Sequence, residues 1–140
     1  MLKREPNHRE ALGAKGHLLV AEGRPQEAVS FLEKAAAGGD ADLLVALASA
    51  RLEAGDTRGA REAASRVLAT SPNHPWALTA LGASLVKEGQ REEGLRMLRR
   101  AQAATPRRLE VWRDLARAFE AAGDPAAGVE CRRRGKALAD

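Results

Sequence analysis

One short phrase recurs along the chain at a nearly fixed interval, and it restricts the fold more than any other feature. Glu-Gly-Arg, Ala-Gly-Asp, Glu-Gly-Gln and Ala-Gly-Asp close four apolar-periodic segments at Gly23, Gly55, Gly89 and Gly123. The spacings are about 32, 34 and 34 residues, the length of one helix-turn-helix unit in a solenoid. A small residue (Gly16, Ala48, Gly82, Ala116) stands seven positions before each glycine, and an apolar one (Leu12, Leu44, Leu78, Trp112) four positions earlier still. Units of this kind bury their core against one another, and they build surfaces for other molecules rather than reactive constellations.

Composition narrows the packing. Phe31, Trp76, Trp112 and Phe119 are the only aromatic residues, and the chain has neither Tyr nor Ile. Alanine and leucine must fill the core, which favours close helix-helix contact over sheets. No apolar run approaches the ~20 residues that cross a bilayer. The basic start, Met1 to Pro6, is followed by no apolar stretch of the secretory type. Cys131 is the single cysteine, so an internal disulfide is excluded. These features set a cytoplasmic protein as the default expectation. The net charge of +4 is uneven, because residues 71–140 carry thirteen basic against nine acidic side chains while residues 1–70 are balanced.

Each unit repeats one physical pattern. A first helix carries apolar residues at helical spacing, as in Leu78, Leu81, Leu85 and Val86. A glycine accepts the left-handed conformation that ends it. Asp56 and Asp124 suit the next N-cap, and Pro25 and Pro125 suit a first helical position. A second helix follows with its own stripe, such as Leu95, Leu98 and Ala101. Pro6, Pro72 and Pro106 mark junctions where a second helix stops. The pattern predicts eight helices, over about 9–22, 25–37, 41–54, 57–70, 75–88, 91–104, 109–122 and 125–138.

The chain resembles the tetratricopeptide repeat, whose signature is W-x2-L-G-x2-Y, then A-x3-F, then P. The third unit reads Leu78-x2-Leu81-Gly82-x2-Leu85, Gly94-x3-Leu98 and Pro106, and the fourth reads Trp112-x2-Leu115-Ala116-x2-Phe119. The first has Leu12-x2-Lys15-Gly16-x2-Leu19 with Ala28-x3-Leu32; the second has Leu44-x2-Leu47-Ala48, Ala60-x3-Ala64 and Pro72. The resemblance implies an all-α solenoid of about four helix-turn-helix repeats, wound as a right-handed superhelix with a concave groove. The repeats fall at 9–40, 41–74, 75–108 and 109–140, and residues 1–8 read as the tail of a preceding repeat or an N-terminal extension. Lys15, Arg51 and Arg132 stand where the pattern wants large apolar side chains; their long stems are expected to lie along apolar surface. Gly38-Gly39 replaces the proline at the first junction. The open ends fit a piece of a longer array, with Arg132-Arg133-Arg134 as a terminal cap being the other reading.

Catalytic and cofactor signatures are missing from the sequence. His8, His17 and His74 sit in separate units without the spacing of a metal pair on one helix, so no metal or cofactor is expected. Cys131 has no histidine near it in sequence and reads as a small, partly buried side chain. An enzyme is therefore not expected within these residues. Arg96, Arg99, Arg100, Arg107 and Arg108 form an acid-free run that suggests a nucleic-acid or anion-binding surface. The lack of interleaved aromatics and the nearby Glu88, Glu92 and Glu93 favour a solvated face instead.

In the family resembled, the first helices line the concave side, and their non-core positions meet the partner. The positions implied here are His17 and Val20; Val45, Ser49 and Leu52; Trp76, Thr79, Ala83 and Val86; and Arg113, Asp114 and Arg117. The Lys, Asn and Arg set with which the family's best-known groove grips a C-terminal carboxylate is missing. What remains is small and apolar in the middle and charged at the last repeat. That chemistry suits an amphipathic helix or an extended apolar segment of a protein partner. The function expected is a non-catalytic protein-protein interaction module, an adaptor or scaffold. Self-assembly is the alternative, and nucleic acid and membrane insertion are disfavoured.

Overall fold

The computed structural model describes residues 5–104 and 107–139, with side chains from Ala11 to Leu138. The described residues hold eight α-helices: α1 (Glu5–Ala21), α2 (Pro25–Ala35), α3 (Ala41–Glu53), α4 (Thr57–Thr70), α5 (Pro75–Lys87), α6 (Arg91–Ala103), α7 (Leu109–Ala121) and α8 (Pro125–Ala139). All starts from α2 onward fall at the expected residues. The helix α1 begins earlier than expected, with Pro6 inside its first turn. Met1 to Arg4 and the junction proline Pro106 lie outside the described residues.

Punctuation follows the residue chemistry. Gly23, Gly55, Gly89 and Gly123 all have positive φ, between 78° and 90°. At Gly55, the glycine amide donates to Leu52 O and the Asp56 amide to Arg51 O, the paired bonds of a Schellman ending. The same pair recurs at the other three glycines. Asp40, Asp56 and Asp124 then cap the following helices by accepting from Leu43 N, Gly59 N and Ala127 N. At the proline-free junction, a 3-10 turn over Ala36–Gly38 leads to Gly39 at φ 85°.

Helices pack in consecutive pairs, α1 with α2 through α7 with α8, and each second helix also packs on the next first helix. First helices touch one another (α1 with α3, α3 with α5, α5 with α7), while among the described residues second helices make no comparable contact. This difference curves the array, with first helices inside. Alanine and glycine permit the close approach. Gly82 and Gly94 bring α5 and α6 together so tightly that a Cβ on Gly94 would stand 2.8 Å from Gly82 O.

The core divides into two clusters. One runs from Leu19 and Leu32 through Leu43–Ala48, Ala50 and α4 to Ala77 and Ala80; the other joins Leu78 to Leu95, Leu98, Trp112, Leu115, Phe119 and Cys131. Helix α5 contributes to both, and Leu68 and Trp76 pack against each.

Arginines tie the units together. Arg51 donates to Gly59 O (3.1 Å) and pairs with Glu33 (3.0 Å), Arg61 pairs with Glu88 (3.2 Å), and Arg91 donates to Ala122 O (2.6 Å). The basic residues at large-apolar positions behave as their stems allow. Lys15 lies over the Phe31 ring at 4.8 Å, and Arg132 makes two hydrogen bonds to the Glu120 carboxylate.

Candidate functional site

Helices α3, α5 and α7 enclose a groove of about 310 Å³ on the concave side. Ser49, Leu52 and Glu53 come from α3; Trp76, Thr79, Ala80, Ala83, Val86 and Lys87 from α5; and Asp114, Arg117, Ala118 and Ala121 from α7. The repeated helix spacing places these residues on one side, since positions three and four apart share a helix face. Ala80, Ala83, Ala118 and Ala121 leave the floor open because they fill so little of it. Leu52, Trp76 and Val86 provide the larger apolar walls.

The polar groups of the groove are few. Asp114 and Arg117 pair with each other at 2.8 Å, so the last helix presents a neutralised couple. Glu53 and Lys87 are exposed. Thr79 is 4% exposed and donates its hydroxyl to Pro75 O at 2.8 Å, so it shapes the wall and offers no free donor. The site is apolar, with charge at its rim, the ordinary chemistry of a recognition cleft.

Of the residues expected on the concave face, Ser49, Leu52, Trp76, Thr79, Ala83, Val86, Asp114 and Arg117 meet in this groove. The other four are placed elsewhere. Val45 is a core residue, 1% exposed, because the close packing of α1, α3 and α5 covers its end of α3. Val20 is half-buried against the same core cluster. His17 is exposed and stacks on Trp76, with ring centroids 5.9 Å apart, so α1 and α5 meet through these two side chains. Arg113 lines a separate cavity of about 260 Å³ with Leu109, Trp112, Cys131, Arg132, Gly135 and Lys136.

A third cavity, of about 280 Å³, lies on another side of Trp76 and is lined by Asp42, His74, Pro75, Trp76, Arg107, Arg108 and Val111. Sequence reasoning missed it, because its residues come from the starts of α3, α5 and α7 and from the junctions before α5 and α7. Arg108 sits over the Trp76 ring at 5.4 Å. His74 caps α5, its Nδ1 accepting from Ala77 N at 3.4 Å. Burial lowers the His74 pKa, partly opposed by the Asp42 charge. The acid-free arginine run is therefore split. Arg107 and Arg108 line this cavity, whereas Arg96 and Arg99 project from α6, and Arg100 donates to Pro72 O at 3.0 Å.

Among the described residues, no group of three or more His, Cys, Asp or Glu side chains is placed to hold a metal ion. Cys131 is buried, and burial pushes its thiol up to about 11, the reverse of an activated nucleophile. No described helix is long and apolar enough to cross a membrane.

A tetratricopeptide-repeat family model matches the chain over residues 19–82 and again over 51–113. The chain belongs to the tetratricopeptide-repeat family. Solved structures of the same architecture include TTC0263, a thermophilic tetratricopeptide-repeat protein of Thermus thermophilus (21% identity, TM-score 0.70, 93% of this chain and 74% of that one). MamA is similar too (21% identity, TM-score 0.62, 99% and 82%), as is MamA 41-end from Desulfovibrio magneticus RS-1 (25%, 0.59, 93% and 75%). At such identities the likeness establishes the fold. No curated protein matches the chain significantly. As a tetratricopeptide-repeat solenoid the chain is a protein-interaction scaffold, with proteins as its partners.

Proposed function

We propose that the groove between α3, α5 and α7 holds a short apolar segment or amphipathic helix of a partner protein. One observation carries this reading: residues from three successive first helices converge on a single open groove whose floor is alanine and whose walls are Leu52, Trp76 and Val86. A fold that curves inward on small side chains leaves room for side chains supplied by another molecule. Each apolar anchor that becomes fully buried contributes roughly 1.5–3 kcal/mol. Against an association cost of at least ~4 kcal/mol, three or so anchors leave at most ~5 kcal/mol, a sub-millimolar affinity at best, to which backbone and rim contacts of the bound segment add.

Ala83 is the position for a test, because it lines the groove and is half-buried. Ala83→Arg fills the cleft with a long charged side chain, and an Arg99→Glu variant serves as a control on α6. Proteins retained from a lysate by the unmodified chain and by Arg99→Glu, but lost with Ala83→Arg, are the expected result. Retention that survives Ala83→Arg while circular dichroism shows all three folded contradicts the groove as the binding site.

A further inference from the structure

The cavity behind Trp76 shares that side chain with the groove and differs from it in chemistry. Arg107 and Arg108 line it against one carboxylate, Asp42. Neither arginine forms an ion pair among the described residues, whereas Arg51, Arg61, Arg117 and Arg132 do. Two exposed guanidinium groups against one carboxylate make the cavity cationic. His74 adds one more donor. With Nδ1 accepting from Ala77 N, the neutral ring carries its proton on Nε2, and its half-buried position fixes the ring in the cavity wall. Arg108 sits over the Trp76 ring and His17 stacks on it, so the ring is already engaged by two side chains, which argues against a stacked base of single-stranded nucleic acid.

We propose that this cavity takes a carboxylate side chain of the partner, so that the bound segment is an apolar stretch flanked by aspartate or glutamate. The inference rests on the groove reading above and adds a charge requirement to it. Guanidinium groups suit carboxylates because their forked donors match two oxygens at once. Charge complementarity at the edge of an apolar groove selects partners and sets register more than it raises affinity.

The test is a selection from a random-peptide phage library against the unmodified chain and against an Arg107→Glu/Arg108→Glu variant. Arg108 makes no side-chain capping bond and neither arginine forms an ion pair among the described residues, so the variant is expected to keep its helical signal. The unmodified chain is expected to enrich apolar residues next to Asp or Glu, and the variant to enrich apolar residues next to Lys or Arg. Replacing the acidic residue of a selected peptide with its amide should weaken binding about two- to fivefold, with the loss shrinking as salt is raised. Apolar enrichment without acidic residues, unchanged by the charge swap, overturns this inference and leaves the groove reading standing. Peptides with no apolar preference overturn both. Displacement of a selected peptide by a single-stranded oligonucleotide, but not by an acidic apolar peptide, would overturn it by assigning the cavity to phosphate instead.

Discussion

Alanine at Gly94 should destabilise the array, although alanine is the better helix former by about 1 kcal/mol. The reason is the approach of α5 to α6. An added Cβ would stand 2.6 Å from Val86 Cγ2, 2.8 Å from Gly82 O and 3.1 Å from Val86 N. Two of these three atoms are backbone, so relief requires the helices to part rather than a rotamer to turn. Overpacking of this kind costs typically ~1–3 kcal/mol. Subtracting the propensity gain leaves a net loss of up to ~2 kcal/mol, or a few degrees in Tm for a chain of this size. Gly13 provides the internal control. It lies within α1, and an added Cβ would meet only Leu43 Cδ2 at 4.0 Å. Gly13→Ala should therefore stabilise by ~0.5–1 kcal/mol. Urea titrations followed by circular dichroism would compare the two variants with the parent chain. A Gly94→Ala midpoint at or above that of the parent, tracking Gly13→Ala, would refute the close-approach argument.

Protonation of His74 should weaken the start of α5. Its folded pKa lies below the ordinary histidine value of 6.5, so its contribution is full above that value and fades as pH falls through the folded pKa, when Nδ1 can no longer accept from Ala77 N. The midpoint of thermal unfolding should drop more between neutral pH and pH ~5 for the parent chain than for His74→Asn; equal drops would remove His74 as the cause. Cys131, buried with its thiol raised to about 11, should react with a thiol reagent far more slowly in the native chain than in urea. Comparable rates at the same pH would contradict its burial. Leu98→Ala opens space between α5 and α6 at a fully buried position and should cost ~2–5 kcal/mol, read from the same urea titrations; a loss below ~1 kcal/mol would contradict the packing described.

Most of the architecture was legible in the sequence because its determinants are local. A glycine that must take positive φ, an aspartate three residues before the amide it accepts, and a proline at a first helical position all act within one turn. Those signals set most of the helix starts, while α6 and α7 begin after Gln90 and Arg108 without a side-chain capping bond. What escaped depends on neighbours distant in the chain. Val45 shares a helix face with Ser49 and Leu52, and only the packing of α1 and α5 around α3 makes it core while they line the groove. Arg107 and Arg108 adjoin the other arginines in sequence, yet they share a cavity with Asp42, more than sixty positions earlier. The role of His74 as a helix cap also passed unread, since a histidine is not among the residues that usually signal one. For Lys15, Arg51 and Arg132 the stem length foretold only that the side chains can lie along apolar surface; the partners at their tips, the Phe31 ring, Glu33 and Glu120, come from neighbouring helices and were not legible.

A partner held in the concave groove of α3, α5 and α7 must perturb the amides that line it, which chemical-shift mapping with a library-selected peptide reads residue by residue. The shifts are expected to concentrate at Ser49, Leu52, Ala80, Ala83, Val86, Ala118 and Ala121, and Ala83→Arg to abolish them. Shifts centred on the outward residues of α4, α6 or α8 and persisting in Ala83→Arg would place the partner on the convex side instead.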